Sequence, residues 1–168
     1  MPATRQDLFA HLAALGIATH TVEHEAVFTV AQSSRLTREL PGGHTKNLFL
    51  KDKKDRLFLV VALGQAHIDL KTLHKTLGAD RLSFAGPALL MEVLGVPAGS
   101  VTPFALINDQ ARRVTVILDA DMMRHERLNY HPLENTATTN IARDDLVLFL
   151  RACGHEPRIL AVTGPAGR

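Results

Sequence analysis

Apolar residues recur at helical spacing near the start of the chain. Leu8, Phe9, Leu12 and Leu15 share one face, Thr4 sits in the N-cap position and Gly16 follows, so the pattern predicts a helix from Thr4 to Leu15. From Ile17 to Glu25 the pattern changes to a β-branched alternation and predicts a strand. Thr29-Val30-Ala31-Gln32 has the form of a capping box, opening a short helix to about Leu40 that Pro41-Gly42-Gly43 stops. Leu48 to Lys51 and Arg56 to Leu63 flank the charged turn Asp52-Lys53-Lys54-Asp55 and read as a hairpin.

Further along, Asp69 caps a helix carrying Leu70, Leu73 and Leu77 and closed by Gly78. Arg81 to Ala85 reads as a short extended piece, and Pro87 starts another helix through Leu94. Gly95 to Pro103 holds two glycines and two prolines and reads as a stiff loop leading into an apolar strand, Phe104 to Ile107. Asn108 to Arg113 turns the chain into a strand from Val114 to Leu118, and Asp119 to Arg127 gives one helical turn and a loop. Leu128 to Pro132 is extended, since Pro132 biases His131 away from helical geometry. Asn135 to Asn140 is a Thr-rich strand, and Asn140 is the expected cap of a helix using Leu146, Phe149 and Leu150 before Gly154. A final strand, Arg158 to Val162, precedes a Gly/Pro tail expected to fray. Strands and helices alternate without a regular βαβ rhythm, which predicts an α+β fold around a mixed, curved sheet in one domain, not a dinucleotide-binding parallel sheet.

Composition narrows this picture. In 168 residues, 46% are hydrophobic and 21% charged, the balance of a water-soluble globular domain; Trp is absent, so seven Phe supply the bulk in an aliphatic core. No stretch has the apolar length of a membrane span, and Met1 to Arg5 lacks a signal-peptide apolar region, so a cytoplasmic protein without a membrane partner is expected. The one cysteine, Cys153, forms no internal disulfide and is expected as a small core residue. A net charge of +2 is too small for bulk attachment to a long nucleic acid, which leaves local contact with a nucleic-acid end. Lys51, Lys53, Lys54 and Arg56 at the hairpin turn read either as a solvated tip or as phosphate contacts.

Candidate chemistry is sparse. The chain has no G-x-x-x-x-G-K, H-E-x-x-H, G-x-S-x-G or paired C-x-x-C, which removes nucleotide hydrolysis and zinc proteolysis as leading ideas. His20 and His24 share a strand face without a third ligand, a poor metal site. Polar residues remain at marked positions: Lys46 and Asn47 after a glycine pair, the Gly99 to Pro103 loop, and His131 before a proline. The first of these reads either as an ordinary glycine turn feeding a strand or as a site held on a rigid support.

Gly43-His44-Thr45-Lys46-Asn47-Leu48-Phe49-Leu50, the run Asp69-Leu70-Lys71 through Leu77-Gly78-Ala79, and Gly95-Val96-Pro97-Ala98-Gly99-Ser100-Val101-Thr102-Pro103 resemble the YbaK/prolyl-tRNA synthetase-associated editing-domain superfamily. The resemblance runs roughly from Thr29 to Leu118 and on to His131. It is greatest to free-standing ProX-type proteins, which hydrolyse Ala-tRNA(Pro). It implies that Lys46 is the superfamily lysine, Asn47 its ProX-type neighbour, Gly99 to Pro103 the G-x-x-x-P loop and His131 a substrate-site histidine. The expected catalytic set is therefore Lys46, Asn47, Gly99 and His131. Thr45, Phe49, Ser100, Val101, Thr102 and Pro103 are expected to bind substrate, with Phe49 and Val101 as walls of the acyl sieve.

An aminoacyl ester is already activated, so its hydrolysis needs positioned water, neutralisation of developing charge and recognition of the acyl group, and no metal or cofactor. Lys46 would hold the terminal nucleotide, Asn47 the substrate's amino or carbonyl group, and backbone N–H groups of Gly99 to Pro103 would form an oxyanion hole. His131 reads as a base or as a positioning group, and the resemblance implies help from the ribose 2′-OH of the terminal adenosine. The expected partners are the acceptor end of aminoacylated tRNA(Pro) and prolyl-tRNA synthetase, with the chain acting as a monomer. Two rival functions remain: Cys-tRNA(Pro) deacylation and non-catalytic binding of a tRNA end or synthetase.

Overall fold

A computed structural model describes residues 1–26 and 29–163. Eight strands make one mixed sheet in the order β1-β7-β6-β2-β3-β5-β8, with β4 added beside β2. The strands are β1 (Thr19–Glu23), β2 (Gly43–Lys51), β3 (Leu57–Leu63), β4 (Ser83–Phe84), β5 (Val114–Asp119), β6 (Arg127–Tyr130), β7 (Ala137–Ala142) and β8 (Arg158–Leu160). Pairing is parallel for β2/β6, β3/β5 and β5/β8 and antiparallel elsewhere, which is the mixed sheet that the irregular rhythm predicts. The helices are α1 (Arg5–Ala14), α2 (Val30–Glu39), α3 (Leu70–Leu77), α4 (Pro87–Leu94) and α5 (Arg143–Ala152).

Both faces of the sheet are covered, and β3 shows why its sequence is a continuous apolar run. Leu57, Leu59 and Val61 pack with α1, α4 and α5 in the larger core, while Phe58, Val60 and Ala62 pack with Leu73 and Leu77 of α3 in a second one. Strand alternation makes the same division in β2. Phe49 joins the larger core, and Leu48 and Leu50 join the second.

Local chemistry sets the helix ends. Thr4 and Thr29 both form capping boxes, with Asp7 and Gln32 returning the bond to the cap N–H. Asp69 accepts from Lys71 N and Gly78 ends α3 in the left-handed region, as its sequence predicts. The hairpin turn is organised by Asp52, whose buried carboxylate accepts from the Lys54, Arg56 and Asp80 N–H groups and from the Arg56 guanidinium. Burial alone would raise the Asp52 pKa, but these bonds outweigh it and hold the carboxyl below its usual range.

Two expectations fail. Phe104 to Ile107 is not a strand but part of a 3₁₀ segment, Pro103–Asn108. Thr102 accepts a bond from Phe104 N at its start and Pro103 supplies the first-turn φ, a helix-opening pair that outweighs a short apolar run of ambiguous period. Asn140 does not cap α5, whose N-cap is Ala142 with no side-chain bond; Asn140 lies within β7. The expected first and last strands are also trimmed to Thr19–Glu23 and Arg158–Leu160. The Gly/Pro tail beyond Thr163 lies outside the described residues.

Candidate functional site

The corner Pro41-Gly42-Gly43 brings the chain into β2, and two buried asparagines fasten it. Asn129 Nδ2 donates to the carbonyls of Gly43 at 3.1 Å and Pro41 at 3.3 Å. Asn140 Nδ2 donates to Pro41 O at 2.8 Å and to Asn129 Oδ1 at 2.9 Å, while Arg127 Nε donates to Asn140 Oδ1. Glycine is required at 42, where φ is +100° and a Cβ would lie 2.2 Å from the Arg127 carbonyl oxygen. Sequence reading missed this bracket, because it joins residues about 90 positions apart.

Beyond the corner, α2, β2, β6 and β7 enclose a cavity of about 250 Å³. Thr45, Asn47, Asn129, His131 and Thr138 are among its polar lining, with His44 at the start of β2 and Ser33 and Thr37 on α2, and Leu36 of α2 is its aliphatic wall. Thr45 Oγ1 donates to Asn129 O at 2.6 Å, so its hydroxyl is committed to joining β2 and β6. Asn47 Oδ1 is buried and has no hydrogen-bond partner among the described residues. A buried amide oxygen without a donor costs on the order of 1–3 kcal/mol, and an incoming N–H group would recover it.

His131 Nδ1 lies 2.8 Å from Ala137 O. Only an N–H can bond a carbonyl there, so the neutral ring carries its proton on Nδ1 and keeps the Nε2 lone pair as an acceptor. Burial lowers the His131 pKa, the Ala137 carbonyl opposes this, and the neighbouring His24 adds to the lowering. The two imidazoles are 6.1 Å apart, and His24 Nε2 is 2.7 Å from Thr138 Oγ1. Any activity that uses neutral His131 should hold through neutral pH and fall with acid, with an apparent pKa below the ordinary histidine value of about 6.5. A pH profile of kcat/KM checks this. A midpoint at or above that value, or a profile unchanged in His131→Gln, would remove His131 from the chemistry.

The expected site is only partly assembled at this cavity. Thr45, Asn47 and His131 meet there, but Lys46 is on the opposite sheet face, where its ammonium donates to Ala66 O in the loop leading to α3. Phe49 is a core residue and Val101 packs against the same core, so neither lines the cavity as a sieve wall. Ser100 and Thr102 are buried, and Pro103 opens the 3₁₀ segment. Gly99 abuts Asn135, since a Cβ there would be 3.1 Å from Asn135 Nδ2, and the Gly99 to Pro103 loop is absent from the cavity lining. Ser33, Leu36, Thr37, His44, Asn129, Tyr130 and Thr138 are the lining residues that were not among the expected site residues. Leu36, the one apolar residue of α2 after Val30 and Ala31, was the available signal.

The described residues contain no group of three or more His, Cys, Asp or Glu placed to hold a metal ion, and none of their helices is long and apolar enough to cross a membrane.

The model of the aminoacyl-tRNA editing domain matches residues 24–149, a span that contains every lining residue of the cavity. The chain belongs to the aminoacyl-tRNA editing domain family. It is 42% identical over 159 residues to prolyl-tRNA synthetase associated domain-containing protein 1 of Danio rerio, covering 94% of this chain and 86% of that one. It is 35% identical over 152 residues to the prolyl-tRNA editing protein ProX of Acetoanaerobium sticklandii, covering 90% and 93%. Among solved structures, one described as a putative trans-editing enzyme for prolyl tRNA synthetase superposes with a TM-score of 0.69 at 19% identity, covering 96% of this chain and 98% of that one. These relatives make the chain a YbaK/ProX-type editing domain of the prolyl-tRNA group, and the structural match agrees on the fold.

Proposed function

We propose that the chain hydrolyses the ester of mischarged Ala-tRNA(Pro), releasing alanine and intact tRNA. The observation that carries this reading is the unpartnered Oδ1 of Asn47 in the cavity that His131 also lines. An aminoacyl ester presents an ammonium donor and a carbonyl acceptor on adjacent carbons. The Asn47 amide matches that pair, with Oδ1 taking the ammonium and Nδ2 the carbonyl oxygen on which charge develops. Water adds to the carbonyl carbon, and the tetrahedral oxyanion collapses with departure of the ribose 3′ oxygen, which takes up a proton. The 2′-OH of the terminal ribose, accepted by His131 Nε2, orients the water, so His131 acts on position more than as the base.

Selectivity follows from the α2 wall. Leu36 is 6% exposed and faces the polar strands across the small cavity, so a larger acyl group meets its side chain. A pocket built for proline rejects the smaller alanine weakly, about 1–3 kcal/mol per missing methylene, and a second, smaller pocket restores discrimination. The partner is the acceptor end of the charged tRNA, with prolyl-tRNA synthetase as source of the mischarged substrate.

Purified protein should release alanine from Ala-tRNA(Pro), leave Pro-tRNA(Pro) intact and act more slowly on Cys-tRNA(Pro). Leu36→Ala should raise the relative rate on the prolyl ester by about tenfold or more. Faster release of cysteine than alanine would make the chain a Cys-tRNA(Pro) deacylase. Binding of tRNA with no amino acid released from any of the three would leave a binding module.

A further inference from the structure

A second cavity, about 530 Å³, lies where the end of α5 meets α1 and the Asn108–Arg113 turn, and its lining shares no residue with the first. His11, Gln110, Arg112, Arg151 and Cys153 provide its polar groups, and no carboxylate is among its lining residues. The turn that presents Arg112 is rigidly built. The buried Asp109 carboxylate accepts from Arg113 N at 3.1 Å and Val114 N at 3.0 Å, and His155 Nε2 lies 2.9 Å from its Oδ2. Arg112 itself is held at φ +57°, a conformation costing a non-glycine residue on the order of 1 kcal/mol or more.

The Arg112 side chain lies across Gly154, where a Cβ would come within 2.7 Å of Nε, so the missing side chain at 154 makes room for the guanidinium. The neighbouring cations are engaged: Arg113 pairs with Glu92 and Arg151 with Glu156. Arg112 has no carboxylate partner among the described residues. Burial pushes the Cys153 thiol up to about 11, so it brings no negative charge into the cavity at neutral pH. His11 packs edge-on against Phe149 and leaves Nε2 unpartnered among the described residues. Arg151 in the last turn of α5 offsets the negative end of that helix.

We propose that this cavity binds a phosphate group, with Arg112 as its principal donor and Arg151, which meets Glu156 through Nε, as the second through its terminal N–H groups. A guanidinium offers paired N–H groups matched to phosphate oxygens, and a strained, pre-placed arginine without an acid partner suits that task. The ligand is either a phosphate of an RNA strand or a free phosphate compound.

The test follows the Arg Nε–H NMR signals of the full chain during titration with inorganic phosphate, with chloride at equal ionic strength as the reference. Phosphate should shift the Arg112 and Arg151 signals, and Arg112→Gln should weaken the apparent affinity at least about tenfold. In a second arm, an uncharged RNA hairpin with a single-stranded 3′ end is bound over a salt series. If RNA is the source, Arg112→Gln/Arg151→Gln lowers its affinity and reduces the salt slope by about two contacts. Unchanged RNA binding, with the phosphate response lost in the variants, assigns the site to a free phosphate compound. Equal responses to phosphate and chloride, or a phosphate response that survives in Arg112→Gln, would overturn the site. Hydrolysis of alanyl-adenosine, which has no RNA stem, reports separately on the first cavity and should not change in either variant.

Discussion

A folded Asn47→Ala protein is expected to deacylate Ala-tRNA(Pro) about 100-fold more slowly than the parent, an effect of the size seen when one preorganised donor to a developing oxyanion is removed. The loss should fall mainly on kcat, because the Nδ2 contact strengthens as the carbonyl oxygen gains charge. Asn47→Asp separates the two ends of the amide. It retains an oxygen for the substrate ammonium but replaces the donor by a second oxygen, so KM should change little while kcat falls as far as in the alanine variant. The fold should survive either change, since the native Oδ1 has no partner to lose. Single-turnover kinetics with matched melting curves would decide it. Near-parental turnover in a folded Asn47→Ala protein would end the proposed role.

Lys46→Ala is the second large loss, expected at about ten- to 100-fold, and its cause differs. The Lys46 ammonium holds Ala66 O on the sheet face away from the cavity. The same loop is fastened at Gly64, whose N–H donates to His44 O at 2.8 Å, and His44 lines the cavity. Removing the ammonium frees the 64–69 loop and loosens the β2 edge that aims Thr45 and Asn47. Hydrogen exchange at Ala66 and its neighbours should therefore rise, and the salt dependence of KM should stay as in the parent. A salt slope lower by one contact, without faster exchange, would return Lys46 to the substrate-holding role expected from sequence.

The sequence was most informative where structure is local. Thr4, Thr29, Asp69 and Gly78 mark helix ends through bonds to residues a few positions away, so each can be recognised in a short window. The cavity was only partly legible. Asn47 and His131 stood at marked positions and Thr45 followed from the family resemblance, but that Leu36 faces them depends on the sheet opposite α2 and shows in no short window. The Gly99 to Pro103 loop reads from its composition as a ligand-facing hole; it does not line this cavity, with Ser100 and Thr102 buried and Gly99 beside Asn135. The Asn129–Asn140 bracket depends on pairing between β6 and β7 and has no signature in either strand alone.

Lys46 and Asn47 are adjacent in the chain and serve opposite sides of the sheet, which makes strand pairing itself a determinant of chemistry. The antiparallel alignment of Lys46 with Ala62 and Asn47 with Val61 fixes which of the two looks toward α2. A slip of one residue would exchange them, placing an ammonium among the cavity's polar groups and an amide too short to reach Ala66. Such a misaligned chain would keep its helices and most of its strand content, yet have lost the acceptor on which the proposed hydrolysis depends.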